Sequence, residues 1–304
     1  MPEAETPLPA WMGNVDPSQV GFPLEVDRSR YTKTTEIPFK KTEQGVLHLD
    51  AYRPTGVPEP TPFVLMIHGG GWRGGGRFNM GLPRWAGYLA CAGFSVASID
   101  YRLAPETSYP DSFQDCLDAF DWCVQHAQDL GADPDRMGLW GDSAGGHLAL
   151  LLATSQTRSD FDGPRLRSGS ERIRGVVALY PPTDLLRLHE LERRFHPGTT
   201  TAAQFVGAAP EAEPERWTQA SPLHQVHSKA PPTLLLQGTS DLLVPEQQAL
   251  DYAARAQSLK APHELHILQG GGHGFDRVAP SAEACQLIER SRSFLIENLH
   301  RGDL

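Results

Sequence analysis

The chain reads as an α/β protein, with a doubly wound, mostly parallel sheet and helices on both faces. Three observations predict this. Short apolar runs recur along the sequence, and segments with helical spacing separate them. Phe63-Val64-Leu65-Met66-Ile67 is apolar at every position, as a strand covered on both faces is. Gly141-Asp142-Ser143-Ala144-Gly145-Gly146 falls where an apolar run gives way to a helical one, the setting of a sharp strand–turn–helix.

The elements follow in order. Residues 1–30 are Pro-rich with little periodicity and read as an extended lead-in. In Val46–Tyr52, Leu47, Leu49 and Ala51 share one face, as in a half-buried strand. The Phe63–Ile67 strand comes next, then a helix over Leu82–Ala92 and a strand over Phe94–Ile99. Asp111–Leu130 reads as a longer helix, because Phe113, Leu117, Phe120, Val124 and Ala127 recur at helical spacing. Met137–Trp140 is the strand entering the serine turn, and His147–Leu152 continues the helix beyond it. Arg158–Arg172 is a polar loop and Gly175–Tyr180 another strand. Pro232–Leu236 and Glu264–Leu268 are the last two strands. The helix between them starts near Pro245, a residue suited to a first helical turn. A final helix covers about Ala282–Leu299. Leu185–Leu223 is long for a strand-to-strand connection and reads as a lid or cap inserted into one domain spanning 1–304.

Composition narrows the function. The 304 residues are 39% hydrophobic and 21% charged, ordinary for a globular protein with a sizeable core. No apolar run approaches the roughly 20 residues of a membrane helix. Residues 1–5 lack the basic and apolar regions of a signal peptide. The net charge of -10 argues against nucleic acid and anionic membranes as partners. The four cysteines, Cys91, Cys116, Cys123 and Cys285, show no CxxC spacing, so no metal site is expected. Cys116 and Cys123 fall seven apart on one expected helix, about 10 Å along its axis, too far for a disulfide. Reduced thiols and a cytoplasmic location are the expectation.

The chemistry centres on Ser143. A serine between glycines at a tight turn stands above the sheet with a helix N-terminus beneath it. Serine needs a base to take its proton, and the base needs a buried acid to hold its tautomer. Such an acid and base are expected, in that chain order, in loops after late strands. Gln237-Gly238-Thr239-Ser240-Asp241 follows one strand, and Gln269-Gly270-Gly271-Gly272-His273-Gly274-Phe275 follows the next. Asp241 and His273 are therefore the candidate acid and base. Glu246 and Asp276 are weaker rivals for the acid. His147, His263 and His266 read as structural, and Asp142 as a local hydrogen-bonding residue. Acyl transfer also needs donors to a tetrahedral oxyanion. His68-Gly69-Gly70-Gly71-Trp72 directly follows the Phe63–Ile67 strand and can supply backbone N–H groups, with Ala144 N–H as a further donor. A phosphate loop is disfavoured, because no Lys-Ser/Thr follows Gly74-Gly75-Gly76.

From Val46 to Leu299 the chain resembles the hormone-sensitive-lipase-like group of α/β hydrolases, bacterial esterases with an HGGG loop. The residues that carry the resemblance are His68–Trp72, Asp100-Tyr101-Arg102-Leu103-Ala104-Pro105-Glu106, Gly141–Gly146, Ser240-Asp241 and His273-Gly274-Phe275. It implies Ser143, Asp241 and His273 as catalytic triad and Gly70, Gly71 and Ala144 as oxyanion donors. It also implies a scaffold role for Arg102–Glu106. Phe205-Val206-Gly207 and Ala220-Ser221-Pro222-Leu223 are similar to compact feruloyl-esterase-like enzymes. The expected activity is a carboxylesterase for short-chain acyl esters, needing no metal or cofactor and acting on a small-molecule ester as monomer or homodimer. Trp72, Leu242, Leu243 and Phe275 are candidate pocket walls. The alternatives are an arylformamidase or other amide-cleaving hydrolase, a carbohydrate acetyl or feruloyl esterase, and a non-catalytic small-molecule receptor on the same fold.

Overall fold

The computed structural model describes residues 23–79, 81–156, 162–195, 198–277 and 281–300, so most of the 1–30 lead-in lies outside the described residues. Eight strands form one sheet: β1 (Tyr31–Thr42), β2 (Gly45–Pro54), β3 (Thr61–Ile67), β4 (Ser95–Ile99), β5 (Ala132–Asp142), β6 (Ile173–Leu179), β7 (Thr233–Gly238) and β8 (His263–Leu268). Their spatial order is β1-β2-β4-β3-β5-β6-β7-β8. β1 pairs antiparallel with β2, and β2 antiparallel with β4; the remaining pairings are parallel.

Alternation along β3 explains its continuous apolar sequence. Phe63, Leu65 and Ile67 join the core on one face, while Val64 and Met66 join the core on the other. Helices α2 (Asp111–Gln125) and α3 (Ala144–Gln156) cover the first face. Helices α1 (Leu82–Cys91) and α9 (Ala282–Leu299) cover the second. Each large apolar side chain so buried contributes about 1.5–3 kcal/mol relative to exposure. All 13 residues of α3 are buried, and its middle, Leu148–Ala153, is apolar on every side.

Four departures from the sequence reading have local causes. β1 was not anticipated: most of its residues are exposed, and it exists by pairing with β2. β2 is covered on both sides, with Leu49 in one core and Tyr52 in the other, while Leu47 is only half-buried. α2 stops at Gln125 rather than Leu130, because the His126 ring takes up the Trp122 carbonyl and Gly131 turns the chain at φ 64°. The helix after the serine turn begins at Ala144, ahead of His147. Residues 157–161 of the expected polar loop lie outside the described residues, and Ser170–Arg172 forms a 3-10 turn.

Among the described residues, the β6–β7 connection carries four helices: α4 (Leu185–Phe195), α5 (Thr201–Val206), α6 (Pro214–Gln219) and α7 (Pro222–Gln225). Helix α8 (Gln247–Ser258) joins β7 to β8. No helix among the described residues is long and apolar enough to cross a membrane.

Candidate active site

Ser143 sits between the end of β5 and the start of α3 with φ 52°, a left-handed conformation that costs an L-residue energy. Backbone on both sides holds it there. Its N–H donates to the Leu179 carbonyl at 2.8 Å, and its carbonyl accepts from His147 N–H at 2.9 Å. The flanking glycines are required by space. A Cβ on Gly141 would collide with the Gly145 carbonyl, and one on Gly145 with the Ile67 carbonyl at the end of β3.

Asp241 lies in the loop after β7 and His273 in the loop after β8. The two loops are stitched together, with Ser240 N–H donating to Gly271 O at 2.9 Å and Gly270 N–H to Thr239 Oγ1 at 2.8 Å. His273 Nε2 stands 2.9 Å from Ser143 Oγ, and His273 Nδ1 stands 2.7 Å from Asp241 Oδ2. Asp241 is buried, and its Oδ1 accepts from the N–H groups of Leu243 and Val244 at 2.9 and 2.8 Å. With Asp241 on Nδ1, the imidazole presents Nε2 to the serine hydroxyl. The rival acids are engaged elsewhere or placed differently. Asp276 is bound by Trp85 Nε1 and the Tyr180 hydroxyl, and Glu246 stands at the entry to α8.

The glycine loop after β3 runs beside this turn. Gly69 N–H donates to Asp142 Oδ1 at 3.0 Å, tying the loop to the residue before the serine. Gly70 adopts φ 125°, and its carbonyl accepts from the N–H groups of Arg73 and Gly74. Among the described residues no acceptor faces the N–H groups of Gly70, Gly71 or Ala144. Gly71 abuts Thr201 at the start of α5.

The candidate pocket residues separate. Trp72 is buried, stacked on Phe205 at 4.8 Å, with its indole N–H 3.3 Å from His147 Nδ1. It is a pillar between the glycine loop and α5 rather than a wall open to solvent. Phe275 is also buried, edge-on to Tyr180. Leu242 is 88% exposed and Leu243 is 44% exposed, so both lie at the surface beside Asp241. His147 Nε2 donates to Ala220 O at 2.7 Å, and burial pushes the ring's pKa down to about 4. It is a neutral strut linking α3, the glycine loop and the 185–223 segment. Arg102 binds Asp115 through its backbone N–H and its guanidinium, at 2.8–3.0 Å. That is a brace between the loop after β4 and α2.

Sequence reasoning missed Gln237 and Arg277. Gln237 is buried at the end of β7, and its amide donates to Val244 O at 2.9 Å and reaches Asp241 Oδ2 at 3.3 Å. Its signal was a polar residue closing an otherwise apolar strand. Arg277 is a buried cation paired with Asp142 at 2.8 Å. Among the described residues no group of three or more His, Cys, Asp or Glu side chains is placed to hold a metal ion.

The sheet order, the strained serine turn and the glycine loop after β3 define an α/β hydrolase of the hormone-sensitive-lipase-like kind. The BD-FAE family model matches residues 49–255, and the chain belongs to that family. Ethyl acetate hydrolase of Pseudomonas putida is 30% identical over 244 residues, covering 76% of this chain and 72% of its own. Esterase LipC of Mycobacterium tuberculosis is 29% identical over 261 residues, 81% of this chain; the chain spans only 63% of LipC. Among solved structures, a truncated carbohydrate esterase from gut microbiota superposes with a TM-score of 0.77 at 22% identity, covering 91% of this chain and 99% of that one.

Proposed function

We propose that the protein is a serine carboxylesterase that hydrolyses short-chain acyl esters of small molecules. The hydrogen-bonded chain from Ser143 Oγ through His273 to Asp241 carries this reading. In it, Ser143 attacks the ester carbonyl while His273 takes the hydroxyl proton. The tetrahedral oxyanion is received by the N–H groups of Gly70, Gly71 and Ala144. The ester C–O bond then breaks, and His273 passes its proton to the leaving alcohol. Water attacks the acyl-serine with His273 again as base, releasing the acid and restoring Ser143. Asp241 holds the imidazole tautomer and stabilises the imidazolium.

The named substrate of the Pseudomonas putida relative supports a small acyl group. In this reading the 185–223 segment is a lid on a single domain, and α5 shapes the site through its contact with Gly71. Four free thiols, two of them buried, support a cytoplasmic location. The test is hydrolysis of p-nitrophenyl acetate and butyrate by the wild type and Ser143→Ala. The wild type should turn over both, and the variant should lose nearly all activity. Substantial residual turnover in the variant would overturn the assignment.

A further inference from the structure

One buried guanidinium stands at the centre of a hydrogen-bond network that joins five segments, two of them through the carboxylates it binds. Arg277 Nη2 lies 2.8 Å from Asp142 Oδ2 and 2.9 Å from the Tyr180 hydroxyl, and its Nε lies 3.3 Å from Asp276 Oδ2. The Tyr180 hydroxyl donates to Asp276 Oδ1 at 2.7 Å, and Trp85 Nε1 of α1 donates to Asp276 Oδ2 at 2.7 Å. Asp142 in turn accepts from Gly69 N–H. Asp142, Tyr180, Asp276 and Arg277 are all buried, and the Tyr180 ring packs against His273 with centroids 4.5 Å apart.

The sequence positions give this network its meaning. Asp142 directly precedes Ser143, Gly69 directly precedes Gly70, and Arg277 lies in the same loop as His273. We infer that Arg277 is a positioning residue that fixes the nucleophile turn, the oxyanion loop and the histidine loop relative to one another. This inference rests on the esterase reading above.

Two physical arguments support it. Buried ion pairs are poor stabilisers, because desolvating the charges offsets most of their attraction. A cluster of two carboxylates and a guanidinium is therefore a costly way to hold a fold that apolar side chains could hold. What it offers instead is directional geometry. A guanidinium presents five N–H donors in a rigid plane, enough to bind two carboxylates and a phenol at fixed angles. Burial alone would lower the Arg277 pKa, but Asp142 and Asp276 beside it more than reverse that, so the cation persists. The reaction needs this kind of precision, since displacing a reacting group by about 1 Å costs about 100-fold in rate.

The experiment compares kcat and KM for p-nitrophenyl acetate in the wild type, Arg277→Gln, Arg277→Lys and Asp142→Asn. Activities are expressed per serine titrated by a covalent phosphonate, so that loss of folded protein does not count. Arg277→Gln should lose about 10- to 100-fold in kcat with KM within about threefold, as a misplaced constellation does. Arg277→Lys, which keeps the charge without the fork, should recover part of that loss. Asp142→Asn keeps its shape and its acceptor for Gly69 N–H, and should lose about 10-fold in kcat. If Arg277→Gln does not fold, Asp142→Asn decides alone. A kcat per titrated serine within twofold of wild type in the folded variants, whatever their melting temperature, would overturn the inference. A wild type with no ester turnover would instead overturn the esterase reading.

Discussion

At the scale of single residues, Ser143 depends on the size of its neighbours before it depends on any base. Gly145→Ala places a methyl group where the Ile67 carbonyl already stands, and backbone cannot rotate away as a side chain can. The variant should lose about 1–3 kcal/mol of stability by denaturant melts, together with most of its esterase activity. Asp241→Asn tests a different term. Asn can still accept from Leu243 and Val244 N–H, but its amide group then faces His273 Nδ1 and favours the wrong ring tautomer. A fall of about 10⁴-fold in kcat with little change in melting temperature is the expected result. Ser143, Asp241 and His273 could be proposed from the sequence because a fold with a serine at this strand–helix turn places acid and base, in that order, in loops after late strands. Gln237 and Arg277 could not. Arg277 works through contacts with segments distant in the chain, which no local spacing encodes, while Gln237 meets Asp241 and Val244 close by and shows only as a polar residue near the end of an apolar strand.

At the scale of elements, legibility followed the source of each element's stability. β3 and β7 are buried on both faces, and α9 carries an apolar stripe after the Ser281 cap, so their residues alone announce them. β1 owes its form to pairing along an edge, with Thr42 opposite Gly45 at the turn into β2, and its own residues do not announce it. The small helix α5 is the element whose loss should be felt furthest. Thr200 Oγ1 caps it by accepting from Ala203 N–H at 3.1 Å and also meets His189 Nδ1 at 2.6 Å. From within the helix, Phe205 stacks on Trp72, which follows the glycine loop directly. Thr200→Ala removes the cap and leaves a buried imidazole nitrogen without its partner, so it should cost about 2 kcal/mol. If α5 also shapes the site, KM for p-nitrophenyl butyrate should rise. An unchanged KM with a lowered melting temperature would separate α5 from substrate binding.

At the scale of the whole molecule, buried neutral histidines set the response to acid. Burial holds His147 near a pKa of about 4 and also lowers His68, whose Nδ1 bonds Gly69 O at 2.7 Å. His189 is shifted in the same direction by burial. In the unfolded chain these rings titrate near 6.5. As pH falls below that value, the unfolded state takes up protons that the folded state refuses, so stability falls. The contribution is fully present above about pH 6.5 and is lost progressively toward pH 4, amounting to about 3 kcal/mol for His147 alone. Carboxylates held low by partners, such as Glu264 hydrogen-bonded to Arg290, add to acid loss only below their ordinary range, which leaves the window above about pH 4.5 to the histidines. Urea melts from about pH 7.5 down to 4.5 should therefore show a steady fall in midpoint. His147→Gln retains a donor for Ala220 O and carries no titrating ring, so it should be less stable at pH 7.5 but show a shallower decline. Parallel curves for the two proteins would mean that His147 is not a source of the acid sensitivity. In the folded protein His147 takes up its proton only near pH 4, where it would lose the Nδ1 acceptor for Trp72 N–H while keeping the Nε2–H bond to Ala220 O.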